Sequence, residues 1–252
     1  SGSRFGNALH LALENTDFAA WQGWRGGQPA PATEVAAIDQ ALRGEGYGQL
    51  DLADGRAVLA ELIGQTLIAA LPEGARLCDV PITQRRAEIE FHFALQPTRA
   101  TALLALLHQH GVVQQRHGFG LRRTLEGLMT GKIDLTYTQG GQWFVLDYKS
   151  NRLPRYDAAA LEQAMADSEY DLQALLYTLA LHRWLRFRLG SGYDYARDFG
   201  GIRYLFARGL DAQDRASPGL HARRFDPALV QALDVLFAGG PAAHAQLAGG
   251  AA

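Results

Sequence analysis

The chain has 252 residues, 48% of them hydrophobic, and a formal net charge of −2, enough apolar material for one sizeable core or one core plus a small helical annex. No apolar run reaches the ~20 residues that cross a bilayer, and no basic segment followed by an apolar stretch opens the chain, so neither a membrane span nor a signal peptide is expected. Cys78 is the sole cysteine, which excludes an intrachain disulfide framework or a four-cysteine iron–sulfur cluster and points to a reducing, cytoplasmic setting.

Ser1-Gly2-Ser3 reads as a cloning scar or an arbitrary start. The first helix follows almost at once, as in a domain cut from a longer protein. Residues 4–20 carry Phe5, Leu9, Leu11, Leu13 and Phe18 in a helix-compatible pattern, and the Gly/Pro-rich segment 21–33 reads as a loop. Helices are predicted over 34–44 and 53–70, the second from Val58, Leu59, Leu62, Ile63 and Leu67. The alternation Ala87-Glu88-Ile89-Glu90-Phe91-His92-Phe93-Ala94-Leu95 predicts a strand, and 98–111 a helix. Strand-like runs at 128–138 and 142–149 flank Gln139-Gly140-Gly141, a hairpin signal. A long helical region spans 158–189, broken near Asp167-Ser168, and 202–208 is a last strand. The Gly/Ala-rich tail after Phe237 reads as a short helix and then disorder. This order predicts an α/β fold with a mixed central sheet flanked by helices. It divides into an N-terminal helical segment 1–75, of which Phe5–Glu14 can also pack on the later core, a core 76–240 and a disordered tail 241–252.

The chemistry concentrates in Gly131-Lys132-Ile133-Asp134-Leu135 and, after the hairpin, Leu146-Asp147-Tyr148-Lys149. Alternation along a strand points Asp147 and Lys149 the same way, and the antiparallel return brings them beside Asp134. Two carboxylates side by side are costly without a counter-ion. A divalent cation such as Mg²⁺, which keeps waters and needs few protein carboxylates, resolves that cost. An isolated Asp-x-Lys is ordinarily a surface ion pair, and on spacing alone the two readings stand about even.

This stretch resembles the C-terminal nuclease domains of the RecB family, within the PD-(D/E)xK nuclease superfamily. The matching residues are Gly131–Leu135, Leu146-Asp147-Tyr148-Lys149-Ser150-Asn151, Tyr170-Asp171-Leu172-Gln173 and Leu176–Arg183. Tyr193-Asp194-Tyr195, Phe199-Gly200-Gly201 and Tyr204-Leu205-Phe206-Ala207-Arg208-Gly209 continue the likeness. It is dense from 127 to 209 and extends over most of 5–210. It implies a restriction-endonuclease-like core with the helical segment 1–75 as an annex contributing His10.

The resemblance also implies roles. Gly6-Asn7-Ala8-Leu9-His10 is similar to the family's Gly-x-x-x-His motif, which makes His10 a metal ligand. Without it, His10 is an ordinary helical histidine. Asp134 and Asp147 match the metal-binding carboxylates, Lys149 the catalytic lysine, and the Tyr148 backbone carbonyl is a further ligand. Glu88 and Glu90 fall on one face of an alternating strand; the resemblance favours Glu90 as the acidic residue near the metal, against a solvated strand face. Gln173 and Tyr177 fit the family's Gln-x-x-x-Tyr motif and share a helix face at i, i+4, with Tyr170 one turn earlier. The implied cofactor is Mg²⁺, with Ca²⁺ or Mn²⁺ able to substitute in binding.

Arg116, Arg122 and Arg123, and the trio Arg183, Arg186 and Arg188, read as solvated faces. Arg152 and Arg155 are the better phosphate contacts, since they leave directly from the active strand. Gly127 to Lys132 only superficially resembles a P-loop: its glycines are too close, and Ile133 replaces the hydroxyl residue. His108, His110 and His117 complete no zinc set.

The implied activity is metal-dependent hydrolysis of phosphodiesters in DNA, as an exodeoxyribonuclease of the recombination type. The implied whole is an ATP-binding helicase–nuclease, joined to RecC and RecD in double-strand-break repair and acting near the nucleoid on single-stranded or unwound DNA. Two alternatives remain: a docking module for RecA, and a freestanding exonuclease of the same lineage.

Overall fold

A computed structural model describes residues 2–239; the tail expected at 241–252 lies outside the described residues. Helix α1 (Gly2–Asn15) is followed by a 3-10 turn at Phe18–Trp21, then α2 (Val35–Gly44) and α3 (Leu52–Ile68). Next come β1 (Arg85–Arg99), α4 (Ala100–Gln109), β2 (Thr124–Gln139) and β3 (Gln142–Lys149). The order continues with α5 (Ala158–Asp167), α6 (Tyr170–Leu189), α7 (Tyr195–Asp198), β4 (Phe199–Phe206), β5 (Leu220–Arg223) and α8 (Pro227–Phe237). The strands form one mixed five-stranded sheet in the order β1-β2-β3-β4-β5, the α/β arrangement expected. Among the described residues, no helix is long and apolar enough to cross a membrane.

The β2–β3 hairpin closes on a two-residue loop. Gln139 pairs with Gln142, and Gly140 and Gly141 take φ of 57° and 81°, the left-handed pair that a tight hairpin requires and glycine adopts at least cost.

Several boundaries differ from the sequence reading. The helix expected over 4–20 stops at Asn15, whose side-chain amide bonds back to the Leu11 carbonyl at 2.8 Å. Asp17 then starts a separate 3-10 turn by accepting from the Ala19 amide, a cap that competes with helix continuation. Strand β4 begins at Phe199 rather than 202, and the four-residue β5 was not anticipated. Helix α8 precedes the tail, with Asp226 capping it and Pro227 at its first position. The Asp-Pro pair is a helix-start signal that the reading passed over. The break expected near Asp167-Ser168 is present: Glu169 takes φ 53° between α5 and α6.

Contacts divide the chain differently from the 1–75 and 76–240 expected. One compact unit comprises residues 1–89, 134–164 and 202–223. Its core joins Leu9, Leu13, Trp21, Leu42 and Ile63 from the N-terminal helices to Leu135, Tyr137, Phe144, Leu146 and Tyr148 from the hairpin and Leu205 from β4. The N-terminal helices therefore pack against the hairpin in one core. The second unit comprises 90–133, 165–201 and the described residues from 224 onward. In it α4 and α6 both pack on α8, and Arg183 and Arg186 converge on the Asp234 carboxylate at 2.5 and 2.6 Å.

Candidate active site

The hairpin supplies most of the chemistry. In the antiparallel register Leu135 opposes Leu146, and Asp134 and Asp147 are the next residues along the two strands. Leu146 and Tyr148 enter the core of the first unit, so alternation sends Asp147 and Lys149 to the other face of β3. Lys149 Nζ lies 2.6 Å from Asp147 Oδ2. Burial raises the Asp147 carboxyl pKa, up to about 6; the Asp134 charge adds to the rise, while Lys149 and His10 oppose it.

Helix α1 brings the imidazole. Gly6 makes this approach possible, because a Cβ there would stand 2.8 Å from Ser150 Oγ, just beyond Lys149. One turn later, His10 Nδ1 comes within 3.4 Å of Asp134 Oδ2, and its ring meets that of Tyr148 edge-on at 6.1 Å. Burial lowers the His10 pKa, but the hydrogen bond to Asp134 and the charges of Asp134 and Asp147 outweigh it and leave the imidazole above its usual value. The same Asp134 oxygen accepts the Tyr148 backbone N–H at 2.9 Å. That bond fixes the carboxylate against the strand, and burial keeps the Tyr148 phenol neutral by pushing its pKa well up.

His10, Asp134, Asp147, Tyr148 and Lys149 are thus gathered within the first unit. Arg152 is exposed, two residues after Ser150. Arg155 is exposed and pairs with Asp157 at 3.3 Å. In the second unit Gln173 Nε2 donates to Tyr177 Oη at 3.0 Å, Tyr177 meets the Phe91 ring edge-on, and Tyr170 is half-buried at the start of α6.

The two glutamates of β1 fall in different units. Glu88 takes φ 57°, a left-handed conformation that breaks strand alternation as a bulge does. Glu90 is largely exposed, its carboxylate 3.9 Å from His92 Nε2. Glu88 instead lines a small cavity with His10, Glu14, Asp134 and Tyr148. Nothing in the sequence announces the left-handed backbone at Glu88. Arg208 was not singled out either: its Nε donates to the Ser150 carbonyl at 2.9 Å, although it lies inside the quoted Tyr204–Gly209 stretch. Tyr156 was also missed; its hydroxyl donates to the Asn151 carbonyl and accepts from the Leu153 amide, folding the turn after Lys149.

Among the described residues, no three His, Cys, Asp or Glu side chains stand as a finished metal cage. The donors present do fit a hard divalent ion. Asp147 Oδ2 is buried and accepts no aligned hydrogen bond, its charge met by the Lys149 ammonium. One imidazole nitrogen and two carboxylates leave room for the waters that Mg²⁺ retains.

This arrangement of a hairpin acid pair and a lysine on a mixed sheet matches a known class. The family model of the PD-(D/E)XK nuclease superfamily matches residues 1–234, and the chain belongs to that superfamily. Members of this superfamily generally use divalent metal ions.

Within it the chain is a RecB-type nuclease domain. It is 37% identical over 188 residues to the RecBCD enzyme subunit RecB of Escherichia coli K12, covering 72% of this chain and 16% of that protein. It is 42% identical over 117 residues to the subunit RecB of Haemophilus influenzae (45% and 9%). With that of Mycolicibacterium smegmatis it is 28% identical over 241 residues (83% and 21%). The chain therefore spans about a fifth or less of the length of these relatives.

Proposed function

We propose that this nuclease domain hydrolyses phosphodiester bonds of DNA in a Mg²⁺-dependent reaction, as the exodeoxyribonuclease part of a RecB-like helicase–nuclease. One observation carries the reading: a buried Asp147 carboxylate, ion-paired to Lys149, sits on the strand beside an Asp134–His10 pair. In this reading His10, Asp134, Asp147 and the Tyr148 carbonyl hold the ion. When bound, the ion offsets the two carboxylate charges and supplies Lewis acidity at a phosphate.

The chain's own groups do the rest. Lys149 counters the burial cost that raises the Asp147 pKa, and its N–H groups stabilise the negative charge that grows on the phosphate in the transition state. The Tyr148 N–H holds Asp134 in one orientation, so little reorganisation is needed on binding. His10 adds its imidazole from α1, a separate element. The similarity to RecB subunits supports placement in an assembly with RecC and RecD that processes broken DNA ends.

Degradation of a labelled single strand, measured with Mg²⁺, with chelator, and for folded Asp147→Ala and Lys149→Ala proteins, tests the reading. Each variant is expected to lose about 100-fold or more in rate, and chelation to abolish cutting. Undiminished activity in both variants would sink the assignment.

A further inference from the structure

A cleft of about 890 Å³ opens directly beyond the catalytic strand. Ser150, Asn151 and Arg152, the three residues after Lys149, form one part of its lining, together with Arg208. Phe5 and Tyr47 add aromatic surface, and Asp51 and Asp54 supply carboxylates. All of these residues belong to the first unit.

Two features mark the cleft as built. Arg208 is held by two contacts: its Nε donates to the Ser150 carbonyl, and its guanidinium lies 4.5 Å from the centre of the Phe5 ring. Burial, reinforced by the positive charge of Arg152, lowers the Arg208 pKa. The Arg152 and Arg208 guanidiniums are close enough to repel one another, and Arg208 is partly desolvated, while Asp51 and Asp54 balance their charge within the same lining. An anion placed between the two guanidiniums relieves that repulsion and takes paired N–H donors. Tyr47 stands in the same lining, with the Arg4 guanidinium 4.9 Å from its ring centre. An aromatic ring in one cleft with two guanidiniums is a combination that binds an unpaired nucleotide, because stacking on the ring needs a free base face.

We propose that this cleft is a subsite for the single DNA strand being cut: one backbone phosphate between Arg152 and Arg208, its base against Tyr47, and the base edge towards Asp51 and Asp54. The inference rests on the nuclease reading above and adds to it where the strand runs and why an unpaired strand is preferred. Asp51 and Asp54 accept hydrogen bonds from base amino groups, and they repel a second backbone, which disfavours duplex.

The test is binding without cutting. Fluorescence anisotropy of the full chain is read in chelator with a labelled single strand of about 15 nucleotides and with the matching duplex, over a salt series. Tyr47→Leu is expected to weaken single-strand binding about tenfold and duplex binding much less. Arg152→Gln is expected to weaken single-strand binding and to reduce the salt slope by about 0.7, the value of one phosphate contact on a single strand. Arg208 also supports Ser150, so Arg208→Lys, which keeps the charge, accompanies these variants and is expected to retain most of the salt slope. Unchanged single-strand affinity in both Tyr47→Leu and Arg152→Gln overturns the proposal, as does equal loss on duplex. Loss of cutting in Asp147→Ala tests the nuclease reading separately, so the two can fail independently.

Discussion

At the level of single residues, the site depends on Gly6 as much as on the groups that do chemistry. A valine there would drive into Ser150, since even a Cβ would reach 2.8 Å from its hydroxyl oxygen. Gly6→Val is expected to cost about 2 kcal/mol, the range of overpacking in a fitted interface, and to move His10 away from Asp134. Gly6→Ala should cost under about 1 kcal/mol, because the serine hydroxyl can rotate aside and alanine favours the helix. Thermal unfolding checks the stability order. Calorimetric titration with Ca²⁺ checks the site: both Gly6→Val and His10→Ala are expected to lose about tenfold or more in affinity. Unchanged affinity in His10→Ala would return that residue to a structural role. The glycine and histidine of this motif were legible in the sequence through the family resemblance, but the reason for the glycine was not, because its neighbour lies 144 positions away on another element.

At the level of elements, the α6–α8 contact turns on one carboxylate. Asp234 is buried and met by Arg183 and Arg186. Burial raises its pKa, but the hydrogen bonds and charges of the two arginines outweigh that and leave it lowered. A carboxylate with a depressed folded pKa contributes stability that is complete above the unfolded value near 4 and is lost as pH falls through the folded value. Unfolding free energy is therefore expected to decline below about pH 4, and the Asp234→Asn protein to show a shallower decline. Asp234→Ala is expected to cost about 3 kcal/mol, since it leaves the largely buried Arg183 without its carboxylate, while the half-exposed Arg186 can turn to solvent. Denaturant titrations from pH 3 to pH 6 check both. The arginines were visible in the sequence as a basic helix end, which reads as a solvated face. Their partner sits 48 and 51 residues further on, on a helix that had not been recognised.

At the level of the whole molecule, the N-terminal helices share a core with the hairpin and β4. Leu9, Leu13, Leu42, Leu59, Ile63 and Leu67 are each at most 1% exposed and belong to one cluster with the hairpin and β4. Without these helices the apolar face of the hairpin, including Leu135, Tyr137, Phe144 and Leu146, loses its cover and meets water. Deletion of residues 1–75 is therefore expected to abolish cooperative unfolding, checked by circular dichroism on heating. A cooperative transition in the shortened protein would show that the helices are dispensable after all.

The sequence by itself determined the α/β class, the hairpin and the pairing of Asp134 with Asp147 and Lys149. Those depend on local rules: strand alternation, a Gly-Gly turn and antiparallel register act over a few residues. The family resemblance carried His10 into the same group. Only the tertiary structure decided which β1 glutamate lines the cavity with His10 and Asp134, because a left-handed residue at Glu88 shifts the alternation without a glycine to announce it. It likewise decided that α1 to α3 share the hairpin's core, and that Arg208 and Tyr156 brace the chain after Lys149. These are contacts between segments distant in sequence, set by packing that no local pattern encodes.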